Sequence, residues 1–143
     1  MSLDRNPQTP LSPEAQRQQH RALAAAACSG LVALVTDRGT DATGHRVLAV
    51  PSGSRQVRHL VRVTAAGEPV SCTCEAWTYR QRACKHMAAA WLHGHPAVRV
   101  RLSDGRAVDP RTGEVTVMAS VTPVMDTAKI AVEAPMPTWR QAA

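Results

Sequence analysis

A chain of 143 residues has the length of one domain, and 44% apolar with 20% charged residues is ordinary globular usage, which excludes wholesale disorder. No run approaches the ~18 apolar residues of a membrane span, and no basic start followed by an apolar stretch marks an export signal, so the expectation is a soluble, intracellular protein, cytoplasmic or nucleoid-associated, with no membrane attachment. The net charge of +6 is carried almost wholly by arginine, only Lys85 and Lys129 being lysines, and with no Phe and one Tyr the core must be built from Val, Ala and Leu, which leaves room for a metal or cross-link as a stabiliser.

Residues 1–11, with Pro7 and Pro10, read as a flexible N-terminus. Ser12-Pro13-Glu14 starts a helix: a capping hydroxyl, a proline at the first helical position and an acid near the positive end of the dipole. Strong helix formers continue to Cys28, and Gly30 stops them. From Leu31 the texture changes to short Val-rich runs between turn residues. Leu31–Thr36 is a run and Asp37-Arg38-Gly39 a turn; His45–Val50 is a run and residues 51–54 a turn. Gln56–Thr64 alternates, with Val57, His59, Val61 and Val63 on one face and Arg58, Leu60 and Arg62 on the other. A turn at Ala66–Pro69 leads into Val70–Cys74.

After Cys84 the period becomes helical, with Met87, Ala90 and Trp91 on one face, and Gly94 and Pro96 end it. Val98–Leu102 and Glu114–Met118 read as two strands, a C-terminal hairpin. From Ser120 the chain is rich in Pro, Met and Ala without periodicity, a partly disordered tail over 120–143.

Four cysteines allow two disulfides, but no export signal accompanies them, and Cys72 and Cys74 are too close for a relaxed bridge. On an extended segment both sulfurs point to one side, because a strand repeats every two residues. Nine residues later Cys84 and His86 repeat the one-residue gap. Three thiolates and an imidazole are the donor set of a closed tetrahedral zinc site, and residues 75–83 form a loop long enough to swing the second pair over the first. Arg80, Arg82 and Lys85 lie beside the formal −1 charge of such a centre and offset it. One Zn(2+) per chain, held by Cys72, Cys74, Cys84 and His86, is expected.

The Cys-x-Cys, nine-residue gap, Cys-x-His pattern resembles the SWIM-type zinc finger. A hairpin turning at Gly67, then Ser-Cys-Thr-Cys, then Cys-Lys-His-Met-Ala-Ala-Ala entering a helix extend the resemblance over about Val47 to Leu92. It implies that the same four residues are the metal ligands, and a role in DNA binding or protein interaction within DNA transactions, such as repair, recombination, transposition or remodelling. It also implies partners of the helicase-like ATPase or recombinase kind. The expected fold is therefore α+β: a short antiparallel β-meander with a zinc knuckle and flanking helices, spanning a zinc-binding domain over 12–119.

No phosphate-binding Gly-Lys-Ser/Thr loop and no deaminase-type His-x-Glu is present, so the expectation is not an enzyme, with no catalytic residue. Glu75 reads as a solvated carboxylate. Residues 45–111 hold eleven Arg or Lys against four acids, a net +7 that exceeds the +6 of the whole chain. Positive charge concentrated in the folded middle suits phosphate. Arg58, Arg62, Trp77, Tyr79, Arg80, Arg82 and Lys85 are the candidate nucleic-acid contacts, with the aromatic pair stacking bases; the competing reading has Trp77 and Tyr79 covering the metal. Cys28 reads as a small buried thiol, His93 and His95 as helix-end caps, His45 and His59 as strand-face residues, and Trp139-Arg140 as a frayed end or a docking peptide. Two functions result: a DNA-binding accessory protein, or a protein–protein adaptor using the knuckle and the Trp91 helix without nucleic-acid contact.

Overall fold

The computed structural model describes residues 12–52, 56–102, 106–117, 130–132 and 139. The expected flexible N-terminus, 1–11, lies outside them. Helix α1 (Pro13–Ser29) begins and ends where its sequence signals stand: the Ser12 hydroxyl accepts from the Ala15 N–H at 3.1 Å, and Gly30 takes the left-handed conformation, φ 76°. Gln19, Ala22, Leu23, Ala26 and Ala27, at helical spacing, form its buried stripe. Cys28 is exposed, because it lies off that stripe, which corrects its expected burial.

The run expected as a strand over Leu31–Thr36 is instead a 3-10 turn at Val32–Leu34, with Leu31 and Val32 buried and Leu34 outside. Strand β1 (Thr36–Thr40) occupies the residues expected to turn. Asp37 does make the local bond that signals a turn, accepting from the Gly39 N–H at 2.8 Å, but as an irregularity of register inside the strand. The reversal falls at Asp41, whose carboxylate accepts from the N–H of Thr43 and of His45.

Strands β2 (Arg46–Pro51), β3 (Arg58–Val63) and β4 (Pro69–Cys72) complete a four-stranded antiparallel meander in sequence order. The alternation read over Gln56–Thr64 holds within β3, where Val61 and Val63 are buried, His59 half-buried and Arg58, Leu60 and Arg62 exposed, but Val57 precedes the strand and is exposed. Val61 pairs with Leu48 on one side and Cys72 on the other, which places the end of β4 against the centre of the sheet. At the β3–β4 turn Gly67 has φ 86°, and a Cβ there would stand 3.2 Å from His95.

The segment expected as a loop over 75–83 holds helix α2 (Glu75–Arg80), with Cys74 as its extended first cap and Trp77 buried beneath it. Helix α3 (Lys85–Gly94) is buried on all sides from His86 to Leu92, between α1 and the meander, so the single apolar face read at Met87, Ala90 and Trp91 was too narrow. Trp91 is 5% exposed, so its ring lies in the core and not on the helix surface.

A second antiparallel sheet replaces the expected hairpin: β5 (Val100–Leu102), β6 (Arg106–Val108), β7 (Val115–Val117) and β8 (Ile130–Val132), ordered β7-β6-β5-β8. Both β8 and Trp139 fall in the stretch read as a tail. Trp139 is 1% exposed: the Gln19 side-chain amide donates to its carbonyl at 2.7 Å and accepts from its N–H at 3.2 Å. Here Trp139 is neither frayed nor a docking peptide for another protein, because a buried glutamine satisfies both of its backbone groups. One cluster of buried side chains runs from Leu23 through Leu48, Val61 and Met87 to Val100, Val108 and Trp139. Among the described residues no helix is long and apolar enough to cross a membrane.

Candidate metal centre

Cys72 ends β4, Cys74 precedes α2, and Cys84 and His86 open α3, so two short connections bring the four side chains to one point. Their donor atoms all lie within 4.8 Å of one another, and all four residues are buried. A tetrahedron on bonds of about 2.3 Å needs donors roughly 3.7 Å apart, so a small contraction closes it on one ion. The imidazole provides the test of fit. Both ring nitrogens of His86 are buried without a hydrogen-bond partner. Burial of an unpaired imidazole is costly, and a metal bond satisfies one of its nitrogens. His59 lies over the same ring, centroids 4.5 Å apart, and burial holds its pKa below the usual value.

The sulfurs are not equivalent. Cys84 caps α3, its Sγ accepting from the Met87 N–H at 3.4 Å. The Cys72 thiol donating to it, with help from that N–H, pulls Cys84 down to about 4. Donation to Cys84, then burial, pushes the Cys72 thiol up, and burial pushes Cys74 up. In the metal-free cluster these directions favour the negative charge on Cys84 and protons on the other two sulfurs. Metal uptake at neutral pH is expected to release about two protons from the thiols, not three. The sign is fixed by the raised pair: below their pKa values protons compete with the metal, so affinity rises with pH, by roughly a hundredfold per unit. Calorimetric zinc titration in buffers of different ionisation enthalpy counts the protons; a count of zero or three overturns this charge distribution.

Three sulfurs and one imidazole, drawn from a strand end and two helix starts, make a closed metal-binding module of the zinc-finger kind. Residues 61–94, from the middle of β3 to the end of α3, match the family model of the SWIM zinc finger. Cys72, Cys74, Cys84 and His86 are positioned to hold one metal ion, consistent with one Zn(2+). No curated protein and no solved structure matches the chain.

The candidate nucleic-acid residues separate into three groups. Arg62 is tied to Asp41 through a salt bridge of 2.5 Å, and the Thr43 hydroxyl, with Arg62, holds the Asp41 carboxyl well below the usual range. Arg58 is exposed and donates to the Thr36 hydroxyl at 3.3 Å. Trp77 is buried, which leaves Tyr79, 79% exposed, as the aromatic available to a ligand. Arg80 and Arg82 are exposed and Lys85 half-buried, and among the described residues no carboxylate forms a salt bridge with any of them. Glu75 is exposed in the first turn of α2.

His95 caps α3, its Nδ1–H donating to the Trp91 carbonyl at 2.7 Å with the ring stacked on Trp91 at 4.1 Å. His93 is exposed in the last turn, and His45 accepts or donates with the Thr43 hydroxyl at 3.0 Å. The Gln19–Trp139 pair escaped sequence reading; its trace was a lone polar residue on an otherwise alanine and leucine stripe.

Proposed function

We propose that this protein is a structural-zinc accessory factor that binds nucleic acid, DNA in the first instance, and leaves catalysis to a partner such as a helicase-like ATPase or recombinase. The supporting observation is Tyr79, exposed at the metal knuckle beside Arg80 and Arg82, whose charges have no carboxylate partner among the described residues. An exposed ring interleaved with cations suits single strands: the guanidinium groups meet phosphates and the ring stacks a base. Four protein donors complete a tetrahedral ion and leave no open position for a reacting water, which favours binding over catalysis.

Tyr79→Ala is expected to weaken binding of a thymidine oligonucleotide by about 1–3 kcal/mol, with zinc content and thermal midpoint unchanged, since the ring makes no part of the core. Arg80→Glu is expected to weaken it further and to flatten the dependence of log affinity on log salt. Fluorescence anisotropy across a salt series checks both. Absence of any salt-sensitive binding, or parental affinity in both variants, overturns the reading.

A further inference from the structure

Helix α1 carries a second stripe that overlaps the edge of its buried one at Ala22. Gln18, Arg21, Ala22 and Ala25 recur at helical spacing and face the metal knuckle across an open groove of about 440 Å³. Its floor on both sides is alanine: Ala22 and Ala25 from α1, Ala76 and Ala83 from the knuckle. Its rim carries Arg21, Arg82 and Lys85, and no acidic side chain among the described residues lines it. The metal ligands Cys74, Cys84 and His86 form the inner wall. With zinc and three thiolates at a formal −1, the three cations leave the groove with a net positive charge of about two.

This chemistry selects its occupant. Bare methyl groups offer no face for stacking and few polar atoms to read a base edge, whereas an aliphatic side chain gains by burying against them. The cations above that floor suit carboxylates beside such an anchor. We propose that the groove between α1 and the zinc knuckle docks an acidic segment of a partner protein, in which an aliphatic side chain flanked by Asp or Glu enters the alanine floor. Four of the eleven lining residues come from α1, outside the 61–94 segment, so the site belongs to this chain's own architecture and not to the finger alone. It shares Arg82 with the nucleic-acid reading, whereas Arg21 and Ala25 belong to the groove alone.

The test uses the full zinc-loaded chain and a fluorescein-labelled peptide of sequence Asp-Glu-Leu-Leu-Asp-Glu. Saturable binding is expected, weakened about tenfold or more when both leucines become glutamine, and equally when the four acids become lysine. Two variants at exposed positions of α1 carry the assignment to the groove. Arg21→Glu removes the rim cation, and Ala25→Gln fills the floor without adding charge. Each is expected to lose at least about tenfold in peptide affinity at unchanged zinc content and unchanged affinity for a thymidine oligonucleotide. Failure to saturate by about 1 mM peptide overturns the proposal. So does parental peptide affinity in both variants, or an Ala25→Gln chain that loses oligonucleotide affinity instead.

Discussion

Stripping the metal with a chelator at neutral pH is expected to abolish the cooperative thermal transition altogether. Binding of structural zinc in finger peptides is worth about 10–16 kcal/mol, as much as the whole net stability of an ordinary domain, about 5–15 kcal/mol. The described core here is mostly alanine, valine and leucine with three buried tryptophans, and it includes Cys72, Cys74 and Cys84 at the junction of β4, α2 and α3. Without the ion, three buried sulfurs crowd one point and both nitrogens of His86 remain unpaired. Cys84→Ser is expected to give the same outcome, since three donors with a neutral hydroxyl hold zinc poorly.

Thiol labelling gives a second readout. In the zinc-loaded chain the exposed Cys28 should react alone among the four cysteines, and all four should react after chelation. A metal-free protein that melts cooperatively near the parent temperature, with three thiols still protected, contradicts the prediction.

Trp139→Ala should have the next largest effect, a loss of about 3–5 kcal/mol in urea unfolding. Its ring is packed in the core, 6.2 Å from that of Trp91, although it lies 120 residues from its hydrogen-bonding partner on α1. Gln19→Ala keeps the ring but strands a buried N–H and a buried carbonyl, at about 1–3 kcal/mol for each unpaired group. The double variant should lose less than the two single losses together, because both changes break one docking contact. If each single variant unfolds within about 0.5 kcal/mol of the parent, this part of the chain is not docked on α1 in solution.

Sequence was most informative where a local rule decides the conformation. Helix α1 was legible because Ser12, Pro13 and Gly30 each act within a turn of where they stand. The metal site was legible for a related reason: two one-residue gaps fix the directions of four donors, and nine intervening residues suffice to close them. Alternation located β3, where one face lies on the core and the other in solvent.

Legibility failed where nonlocal packing decides. Strand β1 has no buried residue and is held by its register on β2, so no pattern announces it. Strands β5, β6, β7 and β8 are three residues each, too short for a period of two to emerge. Strand β8 pairs with β5 from within a stretch whose prolines and methionines suggest no element at all. Trp77 and Tyr79, alike in a string of letters, differ because α2 turns one inward and the other out.

Helix α3 is fastened differently at its two ends. Cys84 and His86 at its first turn are placed to be tied by the metal, whereas the Arg111 guanidinium donates to the carbonyls of Leu92 and His93 at 2.9 and 2.8 Å, and the Gly67 turn abuts the His95 cap. Arg111 lies outside the 61–94 match, and so does α1 along the helix's flank. A graft of the matched segment into a foreign scaffold would thus carry its ion but leave the far terminus of its main helix to unravel, so the portable module is larger than the motif that identifies it.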